Sequence, residues 1–295
     1  MNKEYAIGVD VGGSHLTSAV VDLEDGSICS NLNVDPVDSK GGAEDILSAW
    51  AENLRKTINE YNEYDVRQIG FAMPGPFDYE NGISLIKGVD KFESLFGIDV
   101  SASLKVRLGS TIDLRYVNDA ASFGLGECRW GAAKNYKKVI ALTLGTGVGS
   151  CFIDNRKAIT EGEGVPENGY VYNLPFEGGI VDDKFSTRWV IKRYHEMTGE
   201  RVSGALDIAN DYGQKPEAKD FFLEYGRRLA DFVMPLMADF GTDVLLLGGN
   251  ISRNIEYFRP AMEKQFSANG FRAKVLVSKL FDKAAILGAA SIFIK

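Results

Sequence analysis

Histidine and cysteine are both scarce in this chain. Two histidines occur, His15 and His195, and three cysteines, Cys29, Cys128 and Cys151. The cysteines are odd in number, far apart and form no C-x-x-C pair, and the histidines complete no metal pattern. Neither a disulfide framework nor a structural zinc site is expected, and three free, mostly buried thiols in a reducing compartment are. Runs of basic residues are also missing. Lysine and arginine total 33 against 41 acidic residues, a formal charge of −8. A nucleic-acid binder carries a basic surplus or patch, so this chain can hold anions only through local devices such as backbone N–H groups. Long apolar runs are lacking too. The longest, Ala284 to Ile294, falls far short of the roughly 20 residues that span a bilayer. The start, Met1-Asn2-Lys3-Glu4-Tyr5, has no apolar core and no small-residue cleavage site, which argues against a signal peptide. The expectation is a soluble cytoplasmic protein with neither a membrane nor a nucleic-acid partner.

What is present is length, hydrophobic content and glycine. The 295 residues, 45% of them hydrophobic, suffice for about two domains with real cores. Of the 32 glycines, several fall at ends of apolar runs. Residues 5–11 and Leu16 to Val21 read as strands joined by Gly12-Gly13-Ser14. Leu47, Trp50, Leu54, Ile58 and Tyr61 recur at spacings of three and four, which predicts an amphipathic helix over 44–61. Strands follow at Gln68 to Met73, Ile112 to Val117, Val139 to Leu144 and Val244 to Leu247. Helices are predicted over 120–128, 184–198, 217–239 and roughly 282–294. Alternation of strand and helix makes the class α/β. Residues 7–22 can be laid on 140–154, both reading strand, glycine turn, strand, acid, as a duplicated nucleotide-binding half would.

Four constellations can carry chemistry. Asp10-Val11-Gly12-Gly13-Ser14 puts an acid before a turn whose bare N–H groups can take phosphate oxygens. Ser14 adds a hydroxyl, and Asp10 can hold magnesium directly or through water. An ordinary tight hairpin has the same look. Leu144-Gly145-Thr146-Gly147-Val148-Gly149 is a second candidate phosphate cradle. It is neither a Rossmann fingerprint, since a strand and not a helix follows, nor a P-loop, since no Gly-Lys-Ser/Thr follows. Asn118-Asp119 ends a strand just before a helix, at the sheet edge where open α/β folds bind ligands. Asp119 can be a general base there, or the cap of the helix. Gly248-Gly249-Asn250 ends another apolar strand. It either lets a flat ligand such as adenosine lie on the backbone or simply turns the chain.

The order of these features, near 10, 119, 145 and 248, together with Gly70-Phe71-Ala72-Met73-Pro74-Gly75-Pro76 and Ala285-Ile286-Leu287-Gly288-Ala289-Ala290, resembles the ROK family of sugar kinases over nearly the whole chain. The resemblance implies a duplicated, two-lobed RNase H-like fold of the actin-like ATPase type with a central cleft. A smaller lobe would hold 1–119 plus about 284–295 and the first phosphate turn. A larger lobe, 120–283, would hold the second phosphate turn and the adenosine site, with a hinge near Asp119. It implies that Asp10, Gly12, Gly13 and Ser14 serve one phosphate site, that Gly145, Thr146 and Gly147 serve another, and that Gly248 and Gly249 lie near the adenosine. Asn118, Gly75, Glu167, Tyr170 and Asp182 would bind the sugar, with Asp119 as catalytic base. ATP and magnesium are the implied cofactors, a small sugar the partner, and a homodimer a compatible state.

The chain also departs from the family pattern. Glu-x-Gly-His becomes Glu167-Asn168-Gly169-Tyr170, so the histidine that serves as sugar contact and zinc ligand is a tyrosine. The cysteine-rich zinc loop becomes Phe176-Glu177-Gly178-Gly179-Ile180-Val181-Asp182, with no cysteine. No zinc is expected, and Phe176, Ile180 and Trp189 should pack the loop instead. Leu-Glu followed by Ser becomes Val181-Asp182 and Ser186, and Gly-Gly-Thr-Lys becomes Gly-Gly-Ser14-His15. The expected activity is ATP-dependent phosphorylation of a hydroxyl, the 6-hydroxyl, of an aldohexose or N-acylated hexosamine. The alternatives are a sugar-binding or regulatory protein that has lost catalysis, and a kinase for a ketose or polyol. A sugar-sensing repressor would need a helix-turn-helix module, and Asp10 follows Met1 too closely for one.

Overall fold

A computed structural model describes residues 4–61 and 66–294. The first three residues, on which the reading of the N-terminus partly rests, lie outside them. The chain divides into two units. One is Met1–Gly131 with Asp282–Lys295, the other Ala132–Phe281.

In the first unit, β1 (Tyr5–Val11) and β2 (His15–Asp22) form the predicted antiparallel hairpin, and β3 (Asn33–Pro36) extends it. Helix α1 (Ala43–Glu60) buries Leu47, Trp50 and Leu54, the stripe that its spacing predicted. Strand β4 (Gln68–Met73) returns parallel to β1. After the small hairpin β5 (Phe77–Asp78) and β6 (Ile83–Ser84) and helix α2 (Val100–Leu108), strand β7 (Asp113–Asn118) joins β4 in parallel. The sheet order is β3-β2-β1-β4-β7. Helix α3 (Asp119–Arg129) follows directly.

The boundary falls after Gly131 rather than at Asp119. The reason is the last helix of the chain, α9 (Ala284–Ser291), which packs on α3, β1 and β4. A Cβ at Gly288 would overlap the Ser122 carbonyl, so α3 and α9 meet backbone to backbone. Ser122 Oγ also donates to the Ala285 carbonyl at 2.6 Å. Separating α3 from this unit would expose that apolar seam.

The second unit repeats the plan. Strands β8 (Lys138–Leu144), β9 (Val148–Asp154) and β10 (Lys157–Ile159) form an antiparallel meander. A short hairpin, β11 (Pro175–Phe176) and β12 (Gly179–Ile180), leads into helices α4 (Asp182–Phe185), α5 (Thr187–Thr198), α6 (Ala205–Asn210) and α7 (Pro216–Phe240). Strand β13 (Val244–Gly248), helix α8 (Ile255–Ala268) and strand β14 (Lys274–Val277) complete it. The sheet order is β10-β9-β8-β13-β14, the same topology as the first sheet. Ile7 sits opposite Ile69, and Ile140 opposite Leu245. The two hairpins that align in sequence therefore occupy equivalent places.

The single helix predicted over 184–198 is broken into α4 and α5 at Ser186, whose backbone is extended. The loop without cysteines is packed by aromatic rings. Phe176 lies 5.4 Å from Phe185 and 5.5 Å from Phe232, centroid to centroid. Trp189 stacks near Phe221 and Tyr225, with Arg228 over its ring. Ile180, expected to share this packing, is exposed where it pairs with Pro175 at the open end of the hairpin. Among the described residues no helix is long and apolar enough to cross a membrane. Cys128 and Cys151 are buried and Cys29 is partly so.

Candidate active site

In the first sheet, three parallel strands end together. Register pairs Asp10 with Ala72 and Met73 with Asn118. Asp10, Gly75, Asn118 and Asp119 thus share the carboxyl edge, the usual ligand edge of such sheets. The turn after Asp10 is tight and open to solvent. Gly12 N–H donates to the His15 carbonyl at 3.0 Å, and Gly13, Ser14 and His15 are exposed. Ser14 Oγ lies 3.2 Å from His15 Nδ1. A Cβ on Gly12 would already touch that carbonyl and the imidazole, whereas Gly13 has open space up to the Lys91 stem.

Asn118, and not Asp119, caps α3. Its Oδ1 accepts from Ala120 N–H at 3.0 Å and Ala121 N–H at 3.2 Å. Asp119, in the first turn of the helix, shares the Ala120 N–H with it at 2.8 Å, and the dipole of α3 favours its negative form. Asn118 Nδ2 donates to Tyr79 Oη at 3.2 Å, and Tyr79 Oη donates to the Met73 carbonyl at 3.2 Å. Tyr79 therefore ties the ends of β4 and β7 together and sets the orientation of the Asn118 amide. Sequence reading passed over it, because nothing local marks a tyrosine in a two-strand hairpin as a brace.

The electrostatics are those of crowded carboxylates. Burial pushes the Asp10 carboxyl up to about 6, the Asp119 charge adds to this, His15 opposes it, and Asp282 adds further. Asp119 reaches solvent, yet protein surrounds it on most sides. That desolvation raises its pKa, against the Ala120 N–H, which donates to it at 2.8 Å, and the nearby charge of Lys91. A carboxylate held up in this way is a stronger proton acceptor than a solvated one.

Magnesium fits the arrangement. A half-buried carboxylate with two acidic neighbours favours a cation, and Mg²⁺ is commonly held by one carboxylate plus substrate phosphates. Asp10 would hold it. Among the described residues no group of three or more His, Cys, Asp or Glu is gathered for a metal.

The second unit has a matching edge. The turn Gly145 to Gly147 closes by a hydrogen bond from Gly145 N–H to the Gly147 carbonyl at 3.1 Å. Thr187 anchors it from α5, donating N–H (2.7 Å) and Oγ1 (2.9 Å) to the Gly145 carbonyl. Thr146 and Gly147 are exposed. Gly248 pairs with Thr143, which brings the late glycine turn beside this one. Gly249 has φ +80°, and a Cβ there would overlap the backbone of Leu144, the last residue of β8. The two glycine turns, about a hundred residues apart in sequence, are neighbours at one sheet edge.

The residues expected at the sugar divide in behaviour. Glu167 is exposed and Tyr170 half-buried, on a short helical turn in which Asn168 and Gly169 both have positive φ. Ser150 of β9 pins this turn, donating to the Gly169 carbonyl at 2.7 Å and accepting from Val171 N–H at 3.0 Å. Asp182 is engaged elsewhere. Its Oδ1 accepts from Val148 N–H at 2.8 Å and its Oδ2 pairs with Arg188 at 2.6 Å. It braces the second glycine turn from below. The Ser186 hydroxyl is fully buried and makes no hydrogen bond to the described residues.

The model of the ROK family matches residues 6–295. A glucokinase from Thermotoga maritima is 29% identical, with 99% of this chain and 98% of the relative covered. An N-acetyl-D-glucosamine kinase from Haemophilus influenzae is 26% identical, covering 97% and 98%. Among solved structures, a ROK family glucokinase from Streptomyces griseus in complex with glucose and AMPPNP superposes with a TM-score of 0.73 at 25% identity, over 98% of each chain. The twice-repeated sheet topology is that of the actin-like ATPase fold. With the family model matching almost from end to end, the chain belongs to the ROK family.

Proposed function

We propose that this protein is an ATP-dependent sugar kinase that phosphorylates a hydroxyl, the 6-hydroxyl, of an aldohexose or N-acylated hexosamine. The observation that carries the reading is Asp119. It stands at the carboxyl edge of the first sheet, next to the N-cap Asn118, with its pKa raised by desolvation. The names of the two relatives support a hexose or hexosamine acceptor. The AMPPNP in the Streptomyces griseus complex supports an adenine nucleotide donor.

In the proposed reaction Asp119 accepts the proton of the acceptor hydroxyl. The new oxygen–phosphorus bond forms as the bond from the γ-phosphorus to the bridging oxygen breaks, leaving ADP. Phosphoryl transfer asks a protein mainly for positioning and charge neutralisation. Asn118, Gly75, Glu167 and Tyr170 would orient the ring. The N–H groups of Gly12 to Ser14 and of Gly145 to Gly147 would take phosphate oxygens, and Gly248-Gly249 would receive the adenosine. Magnesium at Asp10 would supply neutralisation of phosphate charge. Asp182 serves this reading through the second turn that it braces rather than as a free ligand.

The test is magnesium-dependent ADP release from ATP across glucose, mannose, fructose, their N-acetylated amino forms and polyols. Sugar-dependent release is expected, lowered by about 10² to 10⁴ in Asp119→Asn. Absence of ADP with every acceptor, despite thermal stabilisation by a sugar, would replace the kinase reading with a sugar-binding protein.

A further inference from the structure

Lys91 is absent from every motif above, yet the fold delivers it to the first glycine turn. It lies between Asp90 and Phe92, whose φ values are +58° and +55°. Two consecutive-but-one non-glycine residues in the left-handed region are unfavourable and persist only where neighbours hold them. Both are held. Phe92 is fully buried, its ring 5.6 Å edge-on from Trp50, and its N–H donates to the Ser39 carbonyl at 2.6 Å. Asp90 takes the Lys40 ammonium at 2.7 Å, and its N–H donates to Glu93 at 3.1 Å. The peptide is pinned on both sides while the lysine itself stays only half-buried.

Its stem runs over the turn. Lys91 Cδ is the nearest atom to the position that a Gly13 Cβ would take, at 4.0 Å. The ammonium lies one methylene farther on, within reach of an anion seated on the N–H groups of Gly12 to Ser14. Its charge is also felt at Asp119. The turn itself, Asp10 to His15, contains no lysine or arginine. His15 stands where the family pattern has lysine. Two glycines and a serine offer partial charges against a triphosphate, and the acids around them repel it.

From this placement we infer that Lys91 is the phosphoryl-binding cation of this site: its ammonium contacts the transferring γ-phosphoryl group on the first glycine turn, beside the acceptor hydroxyl that Asp119 deprotonates. The inference rests on the kinase reading. Its chemistry is electrostatic, since the ammonium stays protonated throughout and stabilises charge that builds on the equatorial oxygens.

The experiment compares the wild type with Lys91→Met and Lys91→Arg in the same ADP-release assay. Removing one preorganised donor to a developing oxyanion costs about 10² to 10³ in kcat. Lys91→Met should lose about that much, with the sugar KM changed less than about threefold and the melting temperature unmoved. Lys91→Arg should recover to within about tenfold of wild type. A kcat for Lys91→Met within about threefold of wild type overturns the assignment. So does a loss of activity that tracks a lowered melting temperature and is not rescued by arginine. If the wild type releases no ADP with any acceptor, it is the kinase reading that falls. Lys91 is then judged by calorimetric binding of tripolyphosphate to the full chain. At least tenfold weaker binding in Lys91→Met upholds the anion contact, and equal binding overturns it.

Discussion

At the scale of single residues, Asp10 shows how function and stability oppose each other. Its half-buried carboxyl is desolvated and feels the charges of Asp119 and Asp282, and it is pushed up from 3.8 to about 6. The folded protein therefore disfavours the charged form. Above pH 6 the fold carries this penalty in full. As pH falls through 6 the group takes a proton and the penalty fades, until near 3.8 the unfolded chain is protonating too. Asp10→Asn is expected to raise the melting temperature at pH 7.5, to lose that advantage near pH 4, and to lose turnover at both. Melting curves of the two proteins across this range, without nucleotide, check it; no gain at pH 7.5 would mean that Asp10 is not strained by its neighbours. The residue scale also marks the limit of reading the sequence. Asp119 and Asn118 were legible as a pair because an acid and an amide at a strand end are distinctive. Which of them caps α3 was not, since both side chains cap well and backbone geometry made the choice. Lys91 was invisible, because its role depends on Phe92 filling a core pocket and not on any local pattern.

At the scale of elements, the glycine turns were legible and their different reasons for being glycine were not. Gly145 has nothing within 4 Å of where a Cβ would sit, and Gly249 has φ +80° with Leu144 backbone in that place. Gly145→Ala should leave stability unchanged and weaken ATP binding, since the methyl would occupy only the space proposed for a phosphate. Gly249→Ala should destabilise by more than about 1 kcal/mol, through left-handed strain and collision with β8. Urea unfolding beside nucleotide titration separates the two. Equal effects of both variants on stability would remove the argument that the space at Gly145 is kept for a ligand. Asp182 belongs to this scale as well. The resemblance assigned it to the sugar, but α4 brings it under Val148 and Arg188, where it stiffens the turn. One methylene less than glutamate shortens its reach, and the N–H of Val148 is what it meets.

At the scale of the whole molecule, two sheets of one topology carry the two glycine turns at equivalent hairpins. The cysteine-free loop packs through Phe176 on Phe185 and Phe232, and Trp189 lies against Tyr225 of the helix that carries Phe232. Burial of aromatic surface stabilises the loop. Phe176→Ala should cost roughly 2–3 kcal/mol, somewhat below the range for a fully buried phenylalanine because Phe176 is only partly covered. A strong chelator should leave the melting temperature of the wild type where it was. A fall of several degrees on chelation would show that a metal, and not ring packing, holds the loop.

The sequence by itself determined the alternation of strand and helix, the duplicated hairpin, the glycine turns, the Asn118-Asp119 pair and the lack of cysteines in the loop. These follow from spacing and residue chemistry within short windows, where hydrophobic period and backbone preference act directly. The tertiary structure alone decided that α3 packs with the first unit through α9, that Gly249 lies against Leu144, that Asp182 braces a turn, that Ile180 stays exposed and that Lys91 reaches Gly13. Each of these is a meeting of segments distant in the chain. Strand register and side-chain packing settle such meetings, and no local window of the sequence contains both partners.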